Sequence, residues 1–529
     1  MNSGNTSLDN AKTSLKDEFC VWSEPYKHTL ENEISEEYIL PDYLPDIRKI
    51  LLVKTRVEES DLFVEEGRVE VGGEVVFNVV YLGDTGEIRS VCNSYPYNGF
   101  LNLDNIYDES VINNNTSVKN RSCRAMSPRK LLLKAKTVTD VTFRNKKCVS
   151  PKIVGSLGIE DEFTLERSVN NIMTANYIQF DESDIRVSED IEYTGRNPIG
   201  ELIAYDSDVY TTECRYNDGR LSLKGILRLF CLVAEKSDDE IKNYNIIEKN
   251  IPISHTADVK LPAGEWGCYA KIDMGAFECS VANNSYGESR VLEVDFVCRA
   301  NITAMSNENS VFTDDVFSTA YQYKNDYKEV ECERVVKCAC QNFSASGTSP
   351  LPANDSGEYD KIFMSLAEAN MDVSEINDGK VIFVGECNVK CVLKDTNNSY
   401  INTEFSFPLR FESPCEDVDN YRYMCDCNVL DLRVSFDNEK INANAEIGLN
   451  LALLERVKTN IVDSVILDKS QSYINADENV MLLYYPEKNE DLWSVAKKYR
   501  VSRSALERAN NTSLSDKLPS VIVIPSNLA

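Results

Sequence analysis

Histidine is nearly missing: the 529 residues hold only two, His28 and His255. Neither sits in an HExxH or other metal-spaced set, so each reads as an ordinary surface or core residue. There is no GxxxxGK[ST] loop and no GxGxxG turn, which removes the usual phosphate cradles. No stretch approaches the ~18 uncharged apolar residues of a membrane span. The start, MNSGNTSLDNAKTSLKDEFC, has no arginine and no apolar core of signal-peptide length. The reading is therefore a soluble protein, cytoplasmic at synthesis. Basic residues are also short, 56 against 86 acidic, for a net charge of −30. Such a field repels nucleic acid and anionic lipid, and neither is expected as a partner. Helical periodicity is scarce until the last 50 residues.

What is present is enough apolar content, 42%, to fill packed interiors. The length suggests about three to five domains. Seventeen cysteines are scattered from Cys20 to Cys427, an odd count with no tight framework. Most read as small apolar side chains or thiols of a reducing compartment. The pairs Cys338-Ala339-Cys340 and Cys425-Asp426-Cys427 put both sulfurs on one strand face, but no CxxC or histidine completes a tetrahedral set. Carboxylates are so numerous that two lying close together say nothing about catalysis. No catalytic set, metal site or cofactor is expected, and the chain does not read as an enzyme.

Internal repetition is the strongest signal. GRVEVGGEVVFNVVYL (from Gly67), GRLSLKGILRLFCLVA (from Gly219) and GKVIFVGECNVKCVLK (from Gly379) align without gaps, with central glycines Gly73, Gly225 and Gly385. Period-two alternation predicts a half-buried strand in each, and the glycine predicts a bulge or bend. Strand-like runs precede and follow every copy. The fold class is mainly β and multidomain. The expected order is a flexible leader over 1–36, β-rich repeats over 37–150, 179–335 and 357–469, and a small domain over 478–529. Polar clusters at 102–120, 348–356 and 470–478 read as linkers.

The last domain reads β-α-α-β. Strand-like NVMLLYYP and LPSVIVIP flank NEDLWSVAKKYRVSRSALERANN. Asp491 can cap a first helix whose apolar stripe is Leu492, Val495, Ala496 and Tyr499. Ser502 can cap a second, which Asn510-Asn511 closes. From Val480 onward there are seven basic and five acidic residues, so the tail is +2 and the rest −32. A weakly basic head on an acidic body suits an acidic partner surface or an anionic polymer.

These residues resemble a LysM domain at Leu492, Trp493, Ser494, Val495, Ala496, Tyr499, Val501, Leu506, Asn510, Ile522, Ile524 and Pro525. The resemblance implies a shallow groove for N-acetylglucosamine chains, formed by the loop before the first helix and the loop after the second. Its residues here would be Asn489, Glu490, Asp491, Leu492, Trp493, Asn510, Asn511 and Thr512. Asn489-Glu490 stands in place of the usual Gly-Asp, and Pro519-Ser520 in place of a glycine. Bulkier residues narrow the groove and weigh toward a protein partner, with Trp493 as its anchor or else as part of the domain's own interior.

With YILPDYLPDIRKILLVKTRVEE (from Tyr38) and SPRKLLLKAKTV (from Ser127), nearly the whole chain, most strongly the first repeat and the tail, is similar to SipL-type spore-coat morphogenetic proteins of clostridia, which carry tandem SPOCS-type β domains ahead of LysM. That resemblance implies a scaffold of the mother-cell cytoplasm at the forespore surface. There it would bind the basement-layer coat ATPase, SpoIVA type, through its LysM domain. The alternative is a peptidoglycan- or chitin-binding protein of the cell wall or spore cortex.

Overall fold

The computed structural model describes residues 18–23, 25–59, 62–65, 67–102, 110–154, 164–236, 243–353, 358–416, 418, 420–437, 439–472, 482–487, 490–511 and 518–525. It is mainly β, with many sheets and two short helices among these residues.

A ribbon of β1 (Phe19–Trp22) and β9 (Lys146–Val149) brackets the first of three double-sheet bodies of one connectivity. The first body contains β2 (Tyr26–Ile39), β3 (Ile47–Glu59), β4 (Phe63–Glu65), β5 (Arg68–Gly83), β6 (Ile88–Asn102), β7 (Val111–Ser127) and β8 (Lys130–Arg144). After β10 (Lys152–Val154), the second has β11 (Leu165–Glu192), β12 (Ile199–Asn217), β13 (Arg220–Glu235), β14 (Tyr244–Asp258), β15 (Trp266–Asn283) and β16 (Ser289–Ser318). The third has β17 (Tyr321–Pro350), β18 (Tyr359–Asn377), β19 (Lys380–Asp395), β20 (Tyr400–Pro414), β21 (Tyr421–Phe436) and β22 (Lys440–Ser472). In each, a meander forms one sheet: β3-β5-β6, β12-β13-β14 and β18-β19-β20. The strand before it joins the two after it in the other: β2-β8-β7, β11-β16-β15 and β17-β22-β21.

The central strands explain their own sequences. Val75–Gly83 of β5 and Leu227–Glu235 of β13 are buried at every position. One face packs into its own body, where Phe77, Val79 and Tyr81 meet Leu131 and Leu133. The other packs against the two neighbouring bodies: Leu52, Val80 and Leu82 join Phe230 and Leu232, and Phe363, Met364 and Val392. Alternation predicts a half-buried strand; this second contact surface is why full burial appears instead.

The mid-strand glycines answer to close backbone approach. A Cβ on Gly73, Gly225 or Gly385 would lie 2.3, 2.7 or 1.9 Å from the carbonyl oxygens of Glu58, Tyr210 and Asn370. These carbonyls belong to β3, β12 and β18, which carry register shifts at matching places: Ile50/Leu52, Leu202/Ala204 and Ile362/Met364. Gly385→Ala is expected to cost about 1–3 kcal/mol through the forced backbone shift, read as a lower denaturant midpoint with an unchanged slope.

Four boundaries differ from the sequence reading. The described part of the 1–36 segment holds β1 and most of β2, because β2 pairs along its full length with β8. Boundaries at 179 and 335 fall inside the long strands β11 and β17, whose outward polar positions blur the alternation. The stretch 111–120, read as linker, is the first half of β7. Cys20 and Cys148 also depart from the thiol reading and form a disulfide joining β1 to β9. The ribbon's neighbour β10 pairs in parallel with β22, so the connector between the first two bodies straps the third.

The C-terminal unit runs β23 (Leu482–Tyr484), α1 (Leu492–Tyr499), α2 (Arg503–Asn510) and β24 (Ile522–Ile524). β23 and β24 pair antiparallel. Among the described residues, no helix is long and apolar enough to cross a membrane.

Candidate docking site on the C-terminal unit

Local sequence sets the two helices. Asp491 caps α1 by accepting from the Ser494 amide at 2.8 Å, and Arg500 ends it in a left-handed conformation, φ 54°. Ser502 caps α2 through the Ala505 amide, and Asn511 closes it at φ 49°. Leu492, Val495, Ala496, Val501, Leu506, Ile522 and Ile524 form the interior.

That interior has an eighth member from outside the unit. Phe317, at the end of β16, is fully buried in the same cluster. Its ring meets Trp493 edge-on, with centroids 4.9 Å apart. The Trp493 indole N–H donates to Asp315 Oδ2 at 2.9 Å, and Lys497 Nζ reaches the same oxygen at 2.5 Å. Arg500 donates to the Tyr321 carbonyl at 3.2 Å and lies over the Tyr323 ring. Trp493 is thus half-buried, packed against the tail's own apolar interior and against the second body. The basic face of the tail turns the same way, spending Lys497 and Arg500 on its own acidic chain.

The remaining candidate groove residues take mostly structural roles. Leu492 is core. Glu490 accepts from the Tyr484 hydroxyl at 2.7 Å and from the Glu487 amide at 3.0 Å. Asn510 clamps β24, its amide group donating to the Val523 carbonyl and its oxygen accepting from the Val523 amide. Asp491 and Asn511 are exposed caps. Asn489 and Thr512 lie outside the described residues. Asp315 and Phe317 were missed, although their spacing of two puts them on one face of a strand.

Burial of Asp315 alone would raise its carboxyl pKa. The hydrogen bonds from Lys497 and Trp493 outweigh it and bring the group below the ordinary carboxylate value. A lowered native pKa stabilises docking above the unfolded pKa of about 4 and loses that stabilisation as pH falls through the native value. Trp493 fluorescence is expected to report undocking on acidification, and Asp315→Asn should remove that pH dependence.

A second feature lies where the three bodies meet, a polar cavity of about 320 Å³. Lys54 and Arg56 of β3 face Asp208 and Asp206 of β12 at 2.8 and 2.5 Å. Lys271 lies 3.1 Å from both Glu59 and Asp273, and Arg121 pairs with Glu368. Cations and carboxylates are matched across the boundaries, the arrangement of a joint.

The comparison with protein families falls on this joint. Residues 46–126 match the family model for SipL, SPOCS domain. The matched segment runs from β3 into β7 and supplies Lys54, Arg56 and Arg121. It supports a SipL-type family and relates the chain to sporulation and the spore coat. No curated protein and no solved structure matches.

The cysteine pairs flagged by spacing lie on β17 and β21 with thiols, not thiolates, favoured. Burial pushes Cys338 and Cys425 up to about 12. Among the described residues, the one close grouping of three metal-capable side chains is Glu18, Cys20 and Cys148, whose sulfurs are bonded to each other.

Proposed function

We propose that the protein is a non-enzymatic spore-coat assembly scaffold. In this reading the three double-sheet bodies are SPOCS-type modules, and the C-terminal unit is a LysM-type module that docks onto the basement-layer coat ATPase (SpoIVA type) in the mother-cell cytoplasm. The SPOCS match at 46–126 carries the reading. The shared connectivity of the three bodies supports extending it along the chain, and the β-α-α-β order of the tail supports the LysM assignment.

The test is capture of the purified coat ATPase by the full chain and by a chain lacking residues 480–529. Binding is expected only with the tail present; undiminished capture by the truncated chain would reject the docking role. The β-α-α-β order also favours a second reading, glycan binding, which predicts micromolar retention of the full chain on chitin oligomers or peptidoglycan.

A further inference from the structure

We propose that the tail face carrying Trp493, Lys497 and Arg500 is a binding surface for an extended acidic-aromatic segment of the form Asp-x-Phe, which the chain's own Asp315-Val316-Phe317 now occupies. The proposal rests on the docking role given to the tail above and adds the chemistry its partner must present.

Asp315 is built as a ligand. Its Oδ1 is held by the body, accepting from its neighbour's Val316 amide at 2.9 Å, the Tyr327 hydroxyl at 3.1 Å and Asn325 Nδ2 at 3.2 Å. Its Oδ2 takes only tail donors among the contacts described: the Trp493 indole N–H and the Lys497 ammonium. Two residues on, the strand period returns Phe317 to the same face, where it enters the tail's apolar interior. Carboxylate and ring thus engage one helix, α1, through Trp493. The recognition is complete in three residues of extended chain, and any partner strand offering the same pair competes for it. Arg500 beside this contact favours further acidic or aromatic groups in the competitor.

A segment in the same chain enjoys a high effective concentration, so a free peptide competes poorly with it. The probe is a fluorescein-labelled peptide of residues 311–319, VFTDDVFST, added to the full chain and followed by anisotropy. Hydrogen exchange at α1 reports whether the tail has left the body. Asp315→Lys in the chain is expected to open α1 to exchange and to tighten peptide binding about tenfold or more over wild type. The same peptide carrying Asp315→Ala or Phe317→Ala should lose that gain. Lys497→Asp leaves the body untouched; it should also open the tail, refuse the native peptide and accept one carrying Asp315→Lys.

Unchanged α1 protection in both variants, an opened Asp315→Lys chain that binds the native peptide no better than wild type, or an opened Lys497→Asp chain that takes the native peptide as well as the one carrying Asp315→Lys, would overturn the proposal. The coat ATPase separates this from the docking role. If opened chains take the peptide but not the ATPase, the surface stands and the named partner falls. If the ATPase binds wild-type and opened chains alike and the peptide does not compete, the partner stands and this surface is wrong.

Discussion

Replacing Glu333 with alanine is expected to destabilise the whole chain by about 3–5 kcal/mol, the usual result of orphaning one partner of a buried ion pair. Glu333 lies on β17 of the third body and is 2% exposed. Its Oε2 accepts from Arg144 Nε of the first body at 3.1 Å and from the Tyr177 hydroxyl of the second at 2.7 Å. Arg144, 4% exposed, also lies over the Tyr177 ring, and Arg422 approaches the carboxylate's other oxygen at 3.7 Å. One side chain therefore holds all three bodies. Without it the Arg144 guanidinium stays buried with its anion gone, and desolvation is no longer offset. Chemical denaturation should show the loss as a lower midpoint. Pairing Glu333→Leu with Arg144→Met removes both charges and is expected to recover most of it. A Glu333→Ala protein that unfolds like wild type would mean the three bodies do not rely on this contact.

The same junction shows what a sequence can and cannot announce. The glycine-centred strands are legible because β5, β13 and β19 meet the same steric demand, a carbonyl too near for a Cβ, and so repeat the same pattern. The tail helices are legible because capping is local: Asp491 and Ser502 act three residues away. The outer strands are not. Ile34 is the single buried residue among the fourteen of β2, so nothing alternates and the segment reads as a polar leader. Its strand state comes from hydrogen bonds to β8, about a hundred positions along the chain, which side-chain pattern does not encode. The docking contact is hidden for the same reason. An aspartate two before a phenylalanine is ordinary strand composition until a tryptophan 178 positions later lies over it. Asn510 illustrates the intermediate case: the helix end it marks is local, while its clamp on Val523 depends on the return of β24.

Phe317→Ala is expected to cost about 3–5 kcal/mol, the range for deleting a buried aromatic ring, with the loss concentrated at the C-terminal unit. The unit's own apolar interior is seven residues, from Leu492 to Ile524, and a segment of about 50 residues is marginal without added staples. Phe317 supplies the largest ring wholly enclosed in that cluster, so its removal opens a cavity at the one place where tail and body share a core. Phe317→Leu keeps most of the volume and should cost less than about 1.5 kcal/mol. Hydrogen exchange separates the possible sites of damage. Protection of α1 and α2 should fall in Phe317→Ala while the central strands β5 and β13 keep theirs. Lost protection along β16 with α1 unchanged would show that the ring serves the strand alone. In that case the tail would be an independent domain resting on the body, held by Asp315 with its two donors and by Arg500 at Tyr321 and Tyr323.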